Sequence, residues 1–163
     1  MPEIHIAPAT RADVPLVLAF IRELAEYEHE PDAVVATESL IEAALFGERP
    51  SAEAAIARVD GVPAGQALWF QNFSTWTGRP GLWLEDLFVR PRYRRHGVGR
   101  ALFVYLARLC RERGYSRFEW SVLDWNELAL GFYRGLGAEA MTEWTTHRLS
   151  DAALAELADA NRA

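Results

Sequence analysis

Two carboxylates stand inside an apolar run. Glu85 and Asp86 separate Leu82-Trp83-Leu84 from Leu87-Phe88-Val89. A bare carboxylate is costly to bury unless a cation or a proton-accepting water meets it. Strict alternation along a strand puts Glu85 on one face with Trp83, Leu87 and Val89. Asp86 then points to the opposite face, where a salt bridge to an arginine is an equally good expectation. A few residues on comes Arg94-Arg95-His96-Gly97-Val98-Gly99-Arg100. Glycines let the backbone approach an anion closely, and the free amides of a helix start point at its oxygens. Arg94, Arg95 and Arg100 can add charge-assisted bonds. One short stretch therefore combines an anion loop with buried acid.

Three phosphate-binding patterns compete for that loop. A P-loop needs a lysine in GxxxxGK[ST], and the chain contains no lysine: all 17 basic residues are arginine. The dinucleotide fingerprint GxGxxG half matches, with Gly97 and Gly99 in place, Leu102 at the third position and Glu119 as a ribose-binding acid. The third is a pyrophosphate held by RxxGxG at a helix start, as for coenzyme A.

Composition bounds the rest. At 163 residues, half of them apolar, the chain is expected to form one domain with a real core. No apolar run approaches the ~20 residues needed to span a bilayer, and no secretory signal is visible, so no membrane partner is expected. Cys110 is the only cysteine, which excludes an internal disulfide and points to the cytoplasm. The four histidines have no metal-ligand spacing, so no metal is expected. A net charge of -6 argues against nucleic-acid binding. Nine arginines fall between Arg90 and Arg117, whereas Glu23, Glu26, Glu28, Glu30 and Asp32 form an acidic cluster.

These residues need elements to hold them. Periodicity and turn residues predict strands over 3–7, 54–59, 64–73, 82–89 and 117–123, and helices from Val14 to Tyr27, over 37–45, 97–113 and 126–136. Two closing strands, 138–142 and 143–149, and a short helix after Ser150 complete the order βααβββαβαββα. The third of these helices should bury Val98, Leu102, Tyr105 and Leu109. The fold class is α/β (α+β), a mixed sheet with helices on its faces.

The strand followed by Arg94-x-x-Gly97-x-Gly99 and a long helix resembles the GCN5-related N-acetyltransferase family. Phe20–Glu28, Leu45–Pro50, Ser74–Val89, Tyr93–Leu102 and Asp124–Ala138 extend the likeness to its diamine branch, the spermidine/spermine and thialysine acetyltransferases. The resemblance implies a GNAT fold over 1–163 and acetyl transfer from acetyl-CoA to a primary amine of a small cation, directly within a ternary complex. It implies that Leu87, Phe88 and Val89 offer backbone groups to the pantetheine arm. Arg94 belongs to the signature, and Arg95, His96, Gly97, Val98, Gly99 and Arg100 would cradle the pyrophosphate. Asn126, Glu127 and Leu128 would meet the cofactor, and Tyr133 would protonate the leaving thiolate. Tyr27, Glu28 and Trp76 match acceptor-binding positions. Glu85 is assigned to binding the amine and assisting its deprotonation. A homodimer is implied, with Trp69, Phe70, Trp144 and the C-terminal segment as candidate interface. The alternative is a non-catalytic acyl-CoA sensor on the same fold.

Overall fold

Five strands form one sheet in chain order: β1 (Ile4–Pro8), β2 (Glu53–Val59), β3 (Val62–Ser74), β4 (Arg79–Val89) and β5 (Phe118–Trp120). The computed structural model describes residues 1–160. Pairing is antiparallel from β1 to β4 and parallel between β4 and β5. The strands and helices expected between residues 3 and 123 all form, with boundaries shifted by a few residues. Asp60-Gly61 makes the expected hairpin turn, with both residues at positive φ.

Helices α1 (Val14–Tyr27) and α2 (Glu38–Phe46) cover one face of the sheet. Val17 and Phe20 of α1 and Leu45 of α2 bury against Ala54, Ile56 and Phe88. Thr37 caps α2 by accepting from the Leu40 amide. The other face packs α3 (Val98–Arg113), which buries Val98, Leu102, Phe103, Leu106 and Cys110. Tyr105 and Leu109, expected in that stripe, instead line a side cavity of about 210 Å³ with Trp69, Glu53 and Arg113. Trp69 itself is buried, with its indole N–H on Glu53, so it is not available to an interface.

Two features place the end of β4. A Cβ on Gly65 would lie 2.4 Å from the Phe88 carbonyl oxygen, so only glycine lets β3 approach β4 there. Arg90 then locks the strand end to α1. It donates to both Glu23 oxygens at 2.8–3.3 Å and to the Pro63 carbonyl at 3.1 Å, with its guanidinium 4.6 Å above the Phe20 ring.

The chain divides into two compact units, Met1–Ser121 and a second beginning at Val122. The second contains α4 (Glu127–Gly135) and α5 (Asp151–Asp159). The two closing strands expected over 138–142 and 143–149 are not formed among the described residues. Every side chain from Glu139 to Leu149 is exposed. The backbone bonds of this stretch, Thr142 to Ala140 and Trp144 to Met141, are local. Strand propensity without a ladder partner does not make a strand.

Candidate active site

The carboxylates of β4 do not follow strict alternation, because the strand bulges between them. Asp86 pairs with Leu68 of β3, and the next pair is Leu84 with Trp69, so Glu85 is the extra residue. The bulge reverses the expected faces. Asp86, opposite Leu68 and two residues before Phe88, now lies on the face covered by α1. Leu87 and Val89 move to the α3 face, away from Trp83. Glu85 is exposed and accepts from the Trp83 indole N–H at 3.1 Å. The expected burial of Glu85 is therefore corrected: Asp86 is the partly buried acid. The expected salt bridge of Asp86 to an arginine is also absent among the described residues.

Burial pushes the Asp86 carboxyl up to about 6, and the negative charges of Glu85 and Glu28 add to the effect. Glu28, at the end of α1, is itself raised by burial. Among the described residues, no arginine pairs with Glu28, Glu85 or Asp86 within 4 Å. Three acids thus converge from α1 and β4 without a protein cation, which is a setting for a cationic ligand.

The anion loop lies at the far end of β4. Gly97 caps α3 with φ +84, and Arg95 stands at φ +63. The first helix bond runs from the Ala101 amide to the Gly97 carbonyl, leaving the Val98, Gly99 and Arg100 amides ahead of the ladder. Nothing crowds them from the glycines: a Cβ on Gly97 or on Gly99 would find its nearest neighbour at 3.9 Å. Arg95, His96 and Arg100 are exposed around this start. The donor set fits a phosphate group. β4 pairs with β5 only from Leu82 to Leu84, so Glu85 to Val89 continue without a β5 partner. On that edge the outward backbone groups are those of Leu87 and Val89, with the Val89 carbonyl accepting from Arg94 Nε, whereas the Phe88 carbonyl faces β3.

Comparison with known proteins decides the family. The model of the acetyltransferase (GNAT) family matches residues 18–138. A thialysine N-epsilon-acetyltransferase of Sus scrofa is 37% identical, over 97% of this chain and 99% of its own length. The chain belongs to the GNAT acetyltransferase family. It is an N-acetyltransferase. Its relatives include an L-ornithine N5-acetyltransferase of Arabidopsis thaliana, 29% identical over 92% of this chain and 86% of the relative. Among solved structures, an integron cassette protein from the mobile metagenome of V. cholerae superposes with a TM-score of 0.79 at 26% identity, covering 95% of this chain and 97% of that one.

Within the first unit of the acetyltransferase, not every expected residue lies at one place. Tyr27, Glu28, Glu85 and Asp86 belong to the α1–β4 cluster. Trp76 stands at the tip of the β3–β4 hairpin, 81% exposed, with Arg117 5.9 Å from its ring. That tip lies roughly 20 Å along β4 from Asp86 at about 3.3 Å per residue. In the second unit, Asn126 caps α4 by accepting from the Ala129 amide at 3.2 Å. Leu128 is exposed, and Glu127 lies 3.9 Å from Arg134. Tyr133 is half-buried, its ring centroid 5.7 Å from that of Phe132. Among the described residues of the acetyltransferase, no group of His, Cys, Asp and Glu could hold a metal, and no helix is long and apolar enough to cross a membrane.

Sequence reasoning named Asp86 without giving it the deep position. Two adjacent acids in an otherwise apolar strand were the available signal for a bulge. The Arg90–Glu23 clamp had no such signal, since its partners are 67 residues apart.

Proposed function

We propose that the enzyme transfers an acetyl group from acetyl-CoA to the terminal primary amine of a small cation, either a short basic amino acid of the thialysine or ornithine type or a diamine, directly in a ternary complex. One observation carries the acceptor class: Glu28, Glu85 and Asp86 converge without a protein cation. An ammonium seated among them offsets their mutual repulsion and draws the Asp86 carboxyl back toward ionisation. The thialysine and ornithine names of the relatives support the same class.

The chain's own residues divide the work. The amides of Gly97 to Arg100, with Arg95 and Arg100, hold the pyrophosphate. A backbone amide on the free edge of β4 polarises the thioester carbonyl. Asp86 accepts the ammonium proton, directly or through water, and Glu85 holds the ammonium at the mouth. The freed nitrogen attacks, the C–N bond forms and the C–S bond breaks. Tyr133 supplies the proton to the departing thiolate, and the proton that the acylated nitrogen releases on becoming an amide restores the phenol. Asn126, Glu127 and Leu128 contribute to the cofactor's binding. The family model runs from the first compact unit into the start of the second, to residue 138, which supports one acetyltransferase domain. Exposed Trp144, Met141, Leu154 and Leu157 support a homodimer, and the lone buried Cys110 fits a cytoplasmic enzyme.

A CoA-release assay with acetyl-CoA and a panel of thialysine, ornithine, lysine, putrescine and spermidine tests the reading. Turnover on at least one is expected. Tyr133→Phe should lower kcat by about 10²-fold, and Asp86→Asn should cost more in kcat/KM than Glu85→Gln. CoA binding without turnover on any amine would favour the sensor alternative.

A further inference from the structure

The first residue of the glycine-loop pattern does not face the loop's amides. Arg94 turns back toward α1. Its Nε donates to the Val89 carbonyl at 2.9 Å, and its guanidinium carbon lies 4.6 Å from the Tyr27 ring centroid and 5.8 Å from that of Phe88. The side chain is half-buried, whereas Arg95 and His96 beside it are exposed. Tyr27 is the last residue of α1, and Glu28 of the acid cluster follows it directly. Arg94 thus touches both halves of the site: its backbone begins the anion loop, and its planar cation holds the ring that ends α1.

We propose that Arg94 is a positioning residue that couples the two substrates, so that CoA seated on the glycine loop orders Tyr27 and Glu28 for the acceptor. This rests on the acetyl-CoA reading above. The chain between Arg94 and Gly97 is short, and two of its residues hold positive φ, so an anion on the amides of Gly97 to Arg100 fixes the peptide that leads into Arg94. The bond to the Val89 carbonyl and the stack on Tyr27 carry that fixation to the end of α1. The acceptor then meets an ordered Glu28, and coupling between ligands is reciprocal. Arg94 swinging out to pair with phosphate would have the opposite effect, releasing Tyr27.

Hydrogen exchange of the full chain, read on peptides covering Leu24 to Glu30 with and without saturating CoA, tests this. Calorimetry on the same samples reports whether CoA binds. In the unmodified protein CoA should slow exchange there by about fivefold or more. Arg94→Ala should abolish the slowing at saturating CoA. Arg94→Lys should not restore it, because lysine lacks the planar fork that bonds and stacks together. Tyr27→Phe should keep the slowing and Tyr27→Leu should lose it, which guards against a merely misfolded Arg94 variant. In turnover, Arg94→Ala should raise KM for the amine beyond its effect on kcat. CoA binding with unchanged or faster exchange at Leu24 to Glu30, or slowing retained in Arg94→Ala, overturns the coupling and leaves the acetyl-CoA reading intact. Absence of CoA binding overturns both.

Discussion

Asp86 keeps its proton up to about pH 6 because burial and two neighbouring acids disfavour its charge. That has a kinetic and a thermodynamic consequence, with opposite preferences. In the proposed transfer the carboxylate must be ionised, so kcat/KM for the amine should rise with pH through an apparent pKa near 6. A pH–rate profile of Asp86→Asn should lack that limb. For folding, the native state binds more protons than the unfolded chain between the ordinary value of 3.8 and about 6. Stability therefore falls as pH rises across that window, and the loss is complete above it. The gap corresponds to about 3 kcal/mol at most. Asp86→Asn should then stabilise the protein by about 1–3 kcal/mol at pH 7.5 and by almost nothing at pH 3.5, as urea melts at the two pH values would read. A variant that folds better and works worse is the expected signature of an acid held for a cation. Equal stability at pH 7.5 would mean that the site carries no such strain.

At the scale of elements, the β3–β4 pair sets the geometry. Gly65→Ala would drive a methyl into the Phe88 carbonyl and against the Val89 backbone, atoms that cannot rotate away. The pair must shift, at about 2–3 kcal/mol in a urea melt, and the free edge at Leu87 to Val89 shifts with it. Most elements were legible because they obey local rules: Asp60-Gly61 for the hairpin, Thr37 for the α2 cap, Gly97 and Gly114 bracketing α3. The anion loop was legible for the same reason. Three things were not. A one-residue bulge inverts parity, so Glu85 and Asp86 exchanged positions relative to the alternating reading. Arg94 was assigned to the loop by its place in the pattern, whereas its side chain follows a carbonyl and a ring contributed by other elements. The stretch from Ala138 to Leu149 has the composition of strands, but no ladder forms there.

Over the whole molecule, charge is segregated rather than balanced. Arginines crowd the stretch that ends β4 and builds α3, and acids crowd the end of α1. An anionic and a cationic substrate can thus be drawn to neighbouring regions of one acidic protein. The second unit reads differently. From Val122 to Ala160 none of its side chains is fully buried, and Met141, Trp144, Leu149, Leu154 and Leu157 are more than half exposed. These side chains are the surface that the proposed homodimer would cover. Light scattering at micromolar concentration should give twice the chain mass, and Trp144→Glu should shift the population toward the monomer. A monomer in the unmodified protein would remove the homodimer from the reading.

The bulge in β4 also sets what the chain can change by length alone. Loss of Glu85 would bring Leu84 and Asp86 into consecutive register opposite Trp69 and Leu68, a regular ladder with one carboxylate instead of two. The sheet, the anion loop and α3 could all persist through such a deletion, while the acceptor side lost a charge. In this scaffold a single-residue gain or loss resets both the strand's parity and the charge offered to the proposed cationic acceptor, whereas a substitution such as Glu85→Gln changes the charge and leaves the bulge in place.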